Sequence, residues 1–281
     1  MAIFVGPGGA PISSPDRSTL AGIKECARLG LNAMEVEFVR GVKMSAETAG
    51  EVGKAAAENG VRLSVHAPYY INLISKDAAI VKKSIERIVD SLHRGHLMGA
   101  DAVAVHAAYF GELSPDDAME QLVERTKDIL DAADKRGASD IRLGYETMAK
   151  RGQWGSLEET VEMCRLFKKR VVPYLDWGHL FARGGGKIDY AAILDALEKL
   201  KLVHINSHFN CVRESKTGDG YVDIHEPVAK KTPDFAPLAK ELVRRKADIT
   251  LICETPLLEE DALKMKAMLE KAGAKIARPV R

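Results

Sequence analysis

Residues 62–73 read RLSVHAPYYINL: a short run with apolar side chains at alternate positions closes on His66 and breaks at once into a proline-containing loop. Such alternation argues a strand, and the break argues its end. Working outward, the same pattern recurs. AVAVH (102–106) closes on His106, RLGYE (142–146) on Glu146, VVPYLD (171–176) on Asp176, KLVH (201–204) on His204 and TLICE (250–254) on Glu254. Six strand-like runs thus end in a side chain able to ligate a metal, and each is followed by turn or loop residues. In a parallel barrel all six meet at one rim. A lone histidine at a strand end is more simply a hydrogen-bonded core or surface residue. Six in succession, with further ligand-type residues in the adjoining loops, call for a common function.

Between these runs lie amphipathic helical segments at 15–29, 45–59, 77–98, 114–136, 156–167, 189–200, 234–245 and 258–271, and AIFV (2–5) and AMEVEF (33–38) supply two more strands. Eight β/α units with no shift in composition imply an α/β fold, a single (β/α)8 TIM barrel spanning 1–281, with its site at the C-terminal rim of the strands. A doubly wound open sheet is the alternative, but it gathers ligands at one switch point. Helix punctuation agrees with the barrel. Ser114-Pro115 places a hydroxyl at the N-cap and proline at the first helical position, 156–159 (SLEE) reads as a capping box, and Gly30, Gly60, Gly99 and Gly137 fall just past helix ends. Segment 206–233 reads as the longest irregular stretch, of the length that functional loops have. The glycines at 6, 8 and 9 and at 184–186 fit neither phosphate-loop spacing and are read as turns.

The 281 residues, 46% hydrophobic and 29% charged, suit a globular chain with a substantial core. Lys and Arg (41) balance Asp and Glu (40), which excludes a global basic footprint for nucleic acid or membrane and leaves only a local one. Cys26, Cys164, Cys211 and Cys253 form no CxxC pair, against a disulfide framework or a cysteine zinc site. The N-terminus lacks a signal-type apolar core, and no segment approaches the ~18 apolar residues of a membrane helix. The expectation is a cytoplasmic protein with no membrane association and no obligatory protein partner.

Imidazole and carboxylate without thiolate suit Zn2+, Mn2+ or Fe. Beyond the strand ends, His179 follows Asp176 by one turn in DWGH, and Asp223 and His225 stand at i and i+2, on one side of an extended segment. The candidate ligands are therefore His66, His106, Glu146, Asp176, His179, His204, Asp223, His225 and Glu254, more than one ion can use; a cluster of two or three ions is the economical reading. His93 and His96 lie inside a helix and are assigned to the outer layer. His208 follows His204 by four residues and could replace a ligand, but is read first as a hydrogen-bond partner of one.

VHAPYYINL around His66, the strand-end His106, GYET at Glu146, DWGHLFARG from Asp176, HIN at His204, VDIH at 222–225 and ICET at Glu254 together resemble the endonuclease IV family of apurinic/apyrimidinic endonucleases, in order from the third strand to the eighth. The resemblance implies zinc-dependent hydrolysis of the phosphodiester 5′ to abasic sites in double-stranded DNA, a step of base-excision repair. It implies about three Zn2+ ions, with manganese or iron able to replace zinc in part. His66 and His106 would hold one ion, Asp176, His204 and Glu254 a second, Glu146 would bridge them, and His179, Asp223 and His225 would hold the third. Glu254 and Glu146 would orient or deprotonate the attacking water. Tyr69 and Tyr70 would wedge into the DNA, with Arg40, Lys43, Arg183, Arg213 and Lys216 on phosphates. The chain departs from the family after strand two, where EVEFVRGVKM puts acidic Glu35 and Glu37 near the rim, and in its first and seventh loops. Those changes touch substrate recognition and leave the metal ligands intact.

Two rivals remain. A single-metal sugar isomerase or epimerase of the xylose-isomerase-like barrels would need only Glu146, Asp176, His204 and Glu254, and would leave five other ligand-type residues unexplained. A metal-stabilised barrel that binds without catalysis would recognise abasic duplex and not cut it.

Overall fold

A computed structural model describes residues 2–276. In chain order the elements are β1 (Ile3–Pro7), α1 (Thr19–Leu29), β2 (Ala33–Glu37), α2 (Ala46–Glu58), β3 (Arg62–His66), α3 (Ala78–Met98), β4 (Ala102–Val105), β5 (Ala108–Tyr109), α4 (Pro115–Lys135), β6 (Arg142–Glu146), β7 (Gln153–Trp154), α5 (Leu157–Phe167), β8 (Val171–Asp176), α6 (Trp177–Arg183), α7 (Tyr190–Glu198), β9 (Ile205–Phe209), β10 (Cys211–Glu214), β11 (Tyr221–Glu226), α8 (Phe235–Arg244), β12 (Ile249–Cys253) and α9 (Glu259–Lys271).

Eight strands pair in the order β1-β12-β9-β8-β6-β4-β3-β2, parallel throughout. The ring closes between β1 and β2 through sparse contacts: Asn32 N–H donates to Val5 O (3.2 Å) and Gly9 N–H to Glu35 O (3.0 Å). The fold is a (β/α)8 TIM barrel, and the open doubly wound sheet is excluded by this closure. Period-2 alternation divides the side chains. One face of each strand joins the large apolar cluster under the helices, with Val65, Val103, Leu143 and Leu251 among its members, while Ala102, Ala104, Val172 and Tyr174 form a small cluster inside the ring. The caps anticipated in the sequence are present, including the reciprocal Ser156–Glu159 box and left-handed Gly30 and Gly99.

Closure depends on Gly6. A Cβ there would lie 1.7 Å from the backbone oxygen of Ala33, a contact no rotamer can relieve. Gly6→Ala is expected to destabilise the fold by ~3 kcal/mol or more. Gly50, inside α2 with nothing near its Cβ position, is expected to gain up to about 1 kcal/mol as alanine. Urea midpoints of the two variants check both signs.

One strand is displaced from its expected place. The seventh barrel strand does not end at His204: it runs Ile205–Phe209, with His208 opposite Asp176 of β8 and Ile252 of β12. The run LVH that looked like a strand lies ahead of it, with Val203 85% exposed. The true strand, INSHF, carries polar residues at the alternate positions Asn206 and His208, and so reads as a loop. The segment 206–233 is likewise less irregular than expected. It contains the end of β9 and the hairpin β10–β11, whose register shifts between Val212 and Arg213. A second small pair, β5–β7, adds another flap. No helix among the described residues is long and apolar enough to cross a membrane.

Candidate metal centre

The C-terminal ends of the strands deliver the ligands. His66 ends β3, Glu146 ends β6 and Asp176 ends β8; His106 and Glu254 follow β4 and β12 by one residue. Asp176 also caps α6, its Oδ1 accepting the backbone N–H of His179 at 2.6 Å, and this fixes His179 one turn on. Asp223 and His225 alternate along β11 and face α6, which is held by Tyr221 packing its ring on Phe181 at 4.7 Å.

Three histidine-containing groups result, in each of which the candidate ligand atoms lie within 4.8 Å of one another: His66–His106–Glu146, His179–Asp223–His225, and Glu146–Asp176–His208–Glu254. Glu146 Oε2 stands 3.3 Å from His66 Nε2 and 3.0 Å from His106 Nε2. Asp223 Oδ1 stands 3.1 Å from His179 Nε2 and 3.3 Å from His225 Nε2. His208 Nδ1 is 3.4 Å from Glu146 Oε1 and 3.5 Å from Glu254 Oε2.

Four of these imidazoles have their other nitrogen engaged. His66 Nδ1 meets Ala67 O (2.7 Å), His179 Nδ1 meets Thr147 O (2.9 Å), and His225 Nδ1 meets Glu254 O (2.8 Å). His208 Nε2 meets Glu35 Oε1 (2.6 Å). Each oxygen accepts a hydrogen bond from the engaged ring N–H, which in the neutral ring leaves the inward nitrogen with a lone pair, the arrangement that metal-ligating histidines require. The inward atoms Glu146 Oε2, His179 Nε2 and His208 Nδ1 are buried without a hydrogen-bond partner. Buried polar atoms are rarely left so, and a cation among them satisfies all three groups. The donor set is nitrogen and oxygen only, which fits zinc.

Burial disfavours charge on His66, yet contact with Glu146 and the charge of Glu37 push it up to about 10; His225, also opposed by burial, is pushed up to about 9 by Asp223. Burial would raise Glu146, but His106 and His208 hold it well below the usual carboxylate range. His66 and His225 therefore carry a proton at pH 7, which a divalent ion would have to displace. Zinc titration calorimetry in buffers of different ionisation enthalpy should show net proton release at pH 7, and an affinity that falls as pH is lowered.

His204, expected to ligate, lies at the opposite end of the barrel. Its Nε2 is 2.8 Å from Thr250 Oγ1 and its ring meets Phe4 edge-on. Burial, then the charges of Arg62 and Arg142, push its pKa down to about 3. Neighbours that repel a proton repel a divalent ion more strongly. His208 takes the place assigned to His204. A strand-end count from the alternation Ile205, Ser207, Phe209 would have found it. His208→Ala should cost about one bound ion per chain, whereas His204→Ala should keep the metal complement and lose only about 1–2 kcal/mol of stability; metal analysis beside a denaturant melt separates them.

The expected DNA-facing residues are not equally free. Tyr69 (47% exposed) stands with its ring 5.1 Å from His66 and 5.8 Å from His106, over the first group, and Tyr70 (63% exposed) projects beside it. Arg40, Lys43 and Lys216 are exposed on loops. Arg213 is paired with Glu226. Arg183 turns inward, its Nη1 donating to the carbonyls of Met148, Lys150 and Gln153, and braces the β5–β7 flap. Glu35, expected near the rim, lies inside the ring, and sequence reasoning missed Asn210, whose Nδ2 donates to Asp176 Oδ2 at 2.8 Å. A concavity of about 760 Å³, lined by Arg142, Lys169 and Val203 among others, opens at the other end of the barrel and holds none of the ligand groups.

The family model of the xylose isomerase-like TIM barrel matches residues 23–272. An uncharacterized protein of Methanocaldococcus jannaschii is 30% identical over 271 residues, 94% of this chain and 95% of that one. A probable endonuclease 4 of Mycoplasmopsis synoviae is 28% identical over 205 residues, 69% of each. Among solved structures, endonuclease IV from Thermus thermophilus matches with a TM-score of 0.69 at 21% identity, over 95% of this chain and 98% of that one. A D-tagatose 3-epimerase-like protein matches with a TM-score of 0.67 at 21% identity, over 97% of both. At that identity the structural likeness speaks for the fold, which nuclease and epimerase share. Ring topology, a family match over most of the chain and a relative aligned along nearly its whole length lead to one conclusion: this chain belongs to the xylose isomerase-like TIM barrels.

Proposed function

We propose that the protein, one barrel domain throughout, is a metal-dependent phosphodiesterase that incises double-stranded DNA on the 5′ side of abasic sites, as an endonuclease IV-like repair enzyme. The observation that carries this reading is the set of three ligand groups around one mouth, with Glu146 shared between two of them and the imidazole tautomers preset. About three zinc ions would fill these groups: His66, His106 and Glu146 hold one, Glu146, Asp176, His208 and Glu254 the next, and His179, Asp223 and His225 the third. When bound, zinc supplies Lewis acidity and positive charge to set against a phosphodiester.

The chain's own groups do the rest. Glu254, pushed up to about 7 by burial with Glu146 close by, is placed to take a proton from the attacking water on Oε2. Glu146 fixes the two halves of the centre to each other. In the balanced reaction the water oxygen bonds to phosphorus, the bond to the 3′ oxygen breaks, and that oxygen leaves as a hydroxyl. Tyr69 and Tyr70, exposed beside the first group, are placed to stack in the gap of an abasic step, and Arg40, Lys43 and Lys216 to reach phosphates. Four buried free cysteines fit a reducing, cytoplasmic setting.

A second reading is a one-metal sugar epimerase, favoured by the quartet Glu146–Asp176–His208–Glu254, whose four ligand atoms could hold one ion and leave further positions for a sugar or water. The test is a duplex with one tetrahydrofuran abasic analogue, which cannot undergo β-elimination. Zinc-loaded protein should cut 5′ to the analogue and spare undamaged duplex, and a His66→Ala, Glu254→Ala double variant should not cut. An intact lesion beside fully loaded protein would overturn the nuclease reading in favour of sugars.

A further inference from the structure

The acidic pair Glu35 and Glu37 on β2 is unused by the three ligand groups, and both carboxylates face the barrel interior. Glu37 ends β2 opposite His66 in register. Oxygens of Glu35, Glu37 and Glu254 come within 4.8 Å of one another. Glu35 is well served, accepting from Ser64 Oγ and Tyr174 Oη (2.6 Å each) and from His208 Nε2 (2.6 Å). Glu37 is not: both its carboxylate oxygens are sealed from solvent and neither has a hydrogen-bond partner. No lysine or arginine ion pair reaches it among the described residues. Its neighbours across the gap are the Glu254 side chain and Gly8, whose missing Cβ would stand 3.5 Å from Glu37 Oε1 and 3.4 Å from Glu254 Cγ. A carboxylate buried against a second carboxylate, with no donor, is among the least favourable arrangements in a protein interior.

The charge balance leads to the same place. Glu146, Asp176, Asp223 and Glu254 bring four negative charges to the histidine-containing groups, and divalent ions in those three groups bring six positive ones. The surplus of two can face an anionic substrate. Glu35, and Glu37 once it gives up its proton, add two negative charges and cancel it.

We propose that Glu37, with Glu254 and Glu35, forms a further divalent-cation site on the β1–β2 side of the mouth. Glu254 is shared with the neighbouring quartet, as Glu146 is shared between two groups. All three ligands are carboxylate oxygens, a set that suits Mn2+ or Mg2+ better than zinc, with water completing the shell. The ion restores the positive surplus that a phosphodiester needs. That role rests on the phosphodiesterase reading; the site itself does not.

The test uses the full chain, zinc-loaded and freed of excess metal, titrated with Mn2+ while free Mn2+ is read by electron paramagnetic resonance. Wild type is expected to bind one further ion, and Glu37→Gln to bind it at least tenfold more weakly with its zinc content unchanged. Failure of the zinc-loaded wild type to take up Mn2+, or uptake by Glu37→Gln equal to wild type, overturns the proposal, and the wild-type titration decides even if the variant folds poorly. Zinc content and incision on the same samples judge the phosphodiesterase reading separately: loss of incision with the Mn2+ site intact counts against that reading alone.

Discussion

Glu146→Gln is expected to lower incision by about a thousandfold or more while leaving the barrel folded. Among the described residues Glu146 belongs to two of the three histidine-containing ligand groups, with Oε2 facing His66 and His106 and Oε1 facing His179 and His208. Glutamine preserves its volume but removes the charge and turns one oxygen into a donor aimed at imidazole nitrogens. Losing ~4 kcal/mol of transition-state charge stabilisation corresponds to about three decades in rate. Metal analysis should show depletion in both groups that contain Glu146, with the His179–Asp223–His225 ion retained. Circular dichroism provides the folding control. Depletion of all three ions together would mean that the groups fill as one cooperative unit.

The largest effect on stability is expected at Glu35. Its carboxylate fills the middle of the ring, a layer that aliphatic side chains usually occupy in such barrels, and accepts from Ser64, Tyr174 and His208. Burial would raise its pKa, but the charge and hydrogen bond of His208 hold it down at about 2. Glu35→Ala leaves three donors orphaned in a closed space, and a loss of ~3–5 kcal/mol follows, on the order of 10 °C in melting temperature for a chain of this size. The same change frees His208 to take the wrong tautomer, so zinc affinity should fall by roughly 10–100-fold. Adding Ser64→Ala and Tyr174→Phe removes two of the orphans and should recover part of the stability without recovering affinity. Denaturant melts and competition against a zinc chelator read the two effects independently.

Much of the barrel was legible because its ligands end strands. A histidine or carboxylate closing an aliphatic run marks both the strand boundary and the rim, and His66, His106, Glu146, Asp176 and Glu254 were read in this way. The same rule misplaced His204. LVH looks more like a strand than INSHF does, because in INSHF the inward positions are polar, and hydrophobic patterning is blind to a strand whose inner face serves chemistry. The hairpin carrying Asp223 and His225 was hidden for a related reason: Val222 and Ile224, its apolar residues, face outward and are substantially exposed, so no core face betrays it. Glu35 and Glu37 were visible as acids near the rim, but their different fates depend on partners far apart in sequence. Ser64, Tyr174 and His208 come to Glu35 from three other strands, whereas Glu37 lies by Glu254, the bare backbone of Gly8 and the charge of His66, with no hydrogen-bond partner for its oxygens.

Three ligand groups, with His208 and not His204, are proposed to hold metal at one rim. Diffraction from zinc-loaded crystals on either side of the zinc absorption edge tests this directly. Anomalous density is predicted at His66–His106–Glu146, at Glu146–Asp176–His208–Glu254 and at His179–Asp223–His225. A single peak confined to the quartet, or any peak beside His204, would contradict it.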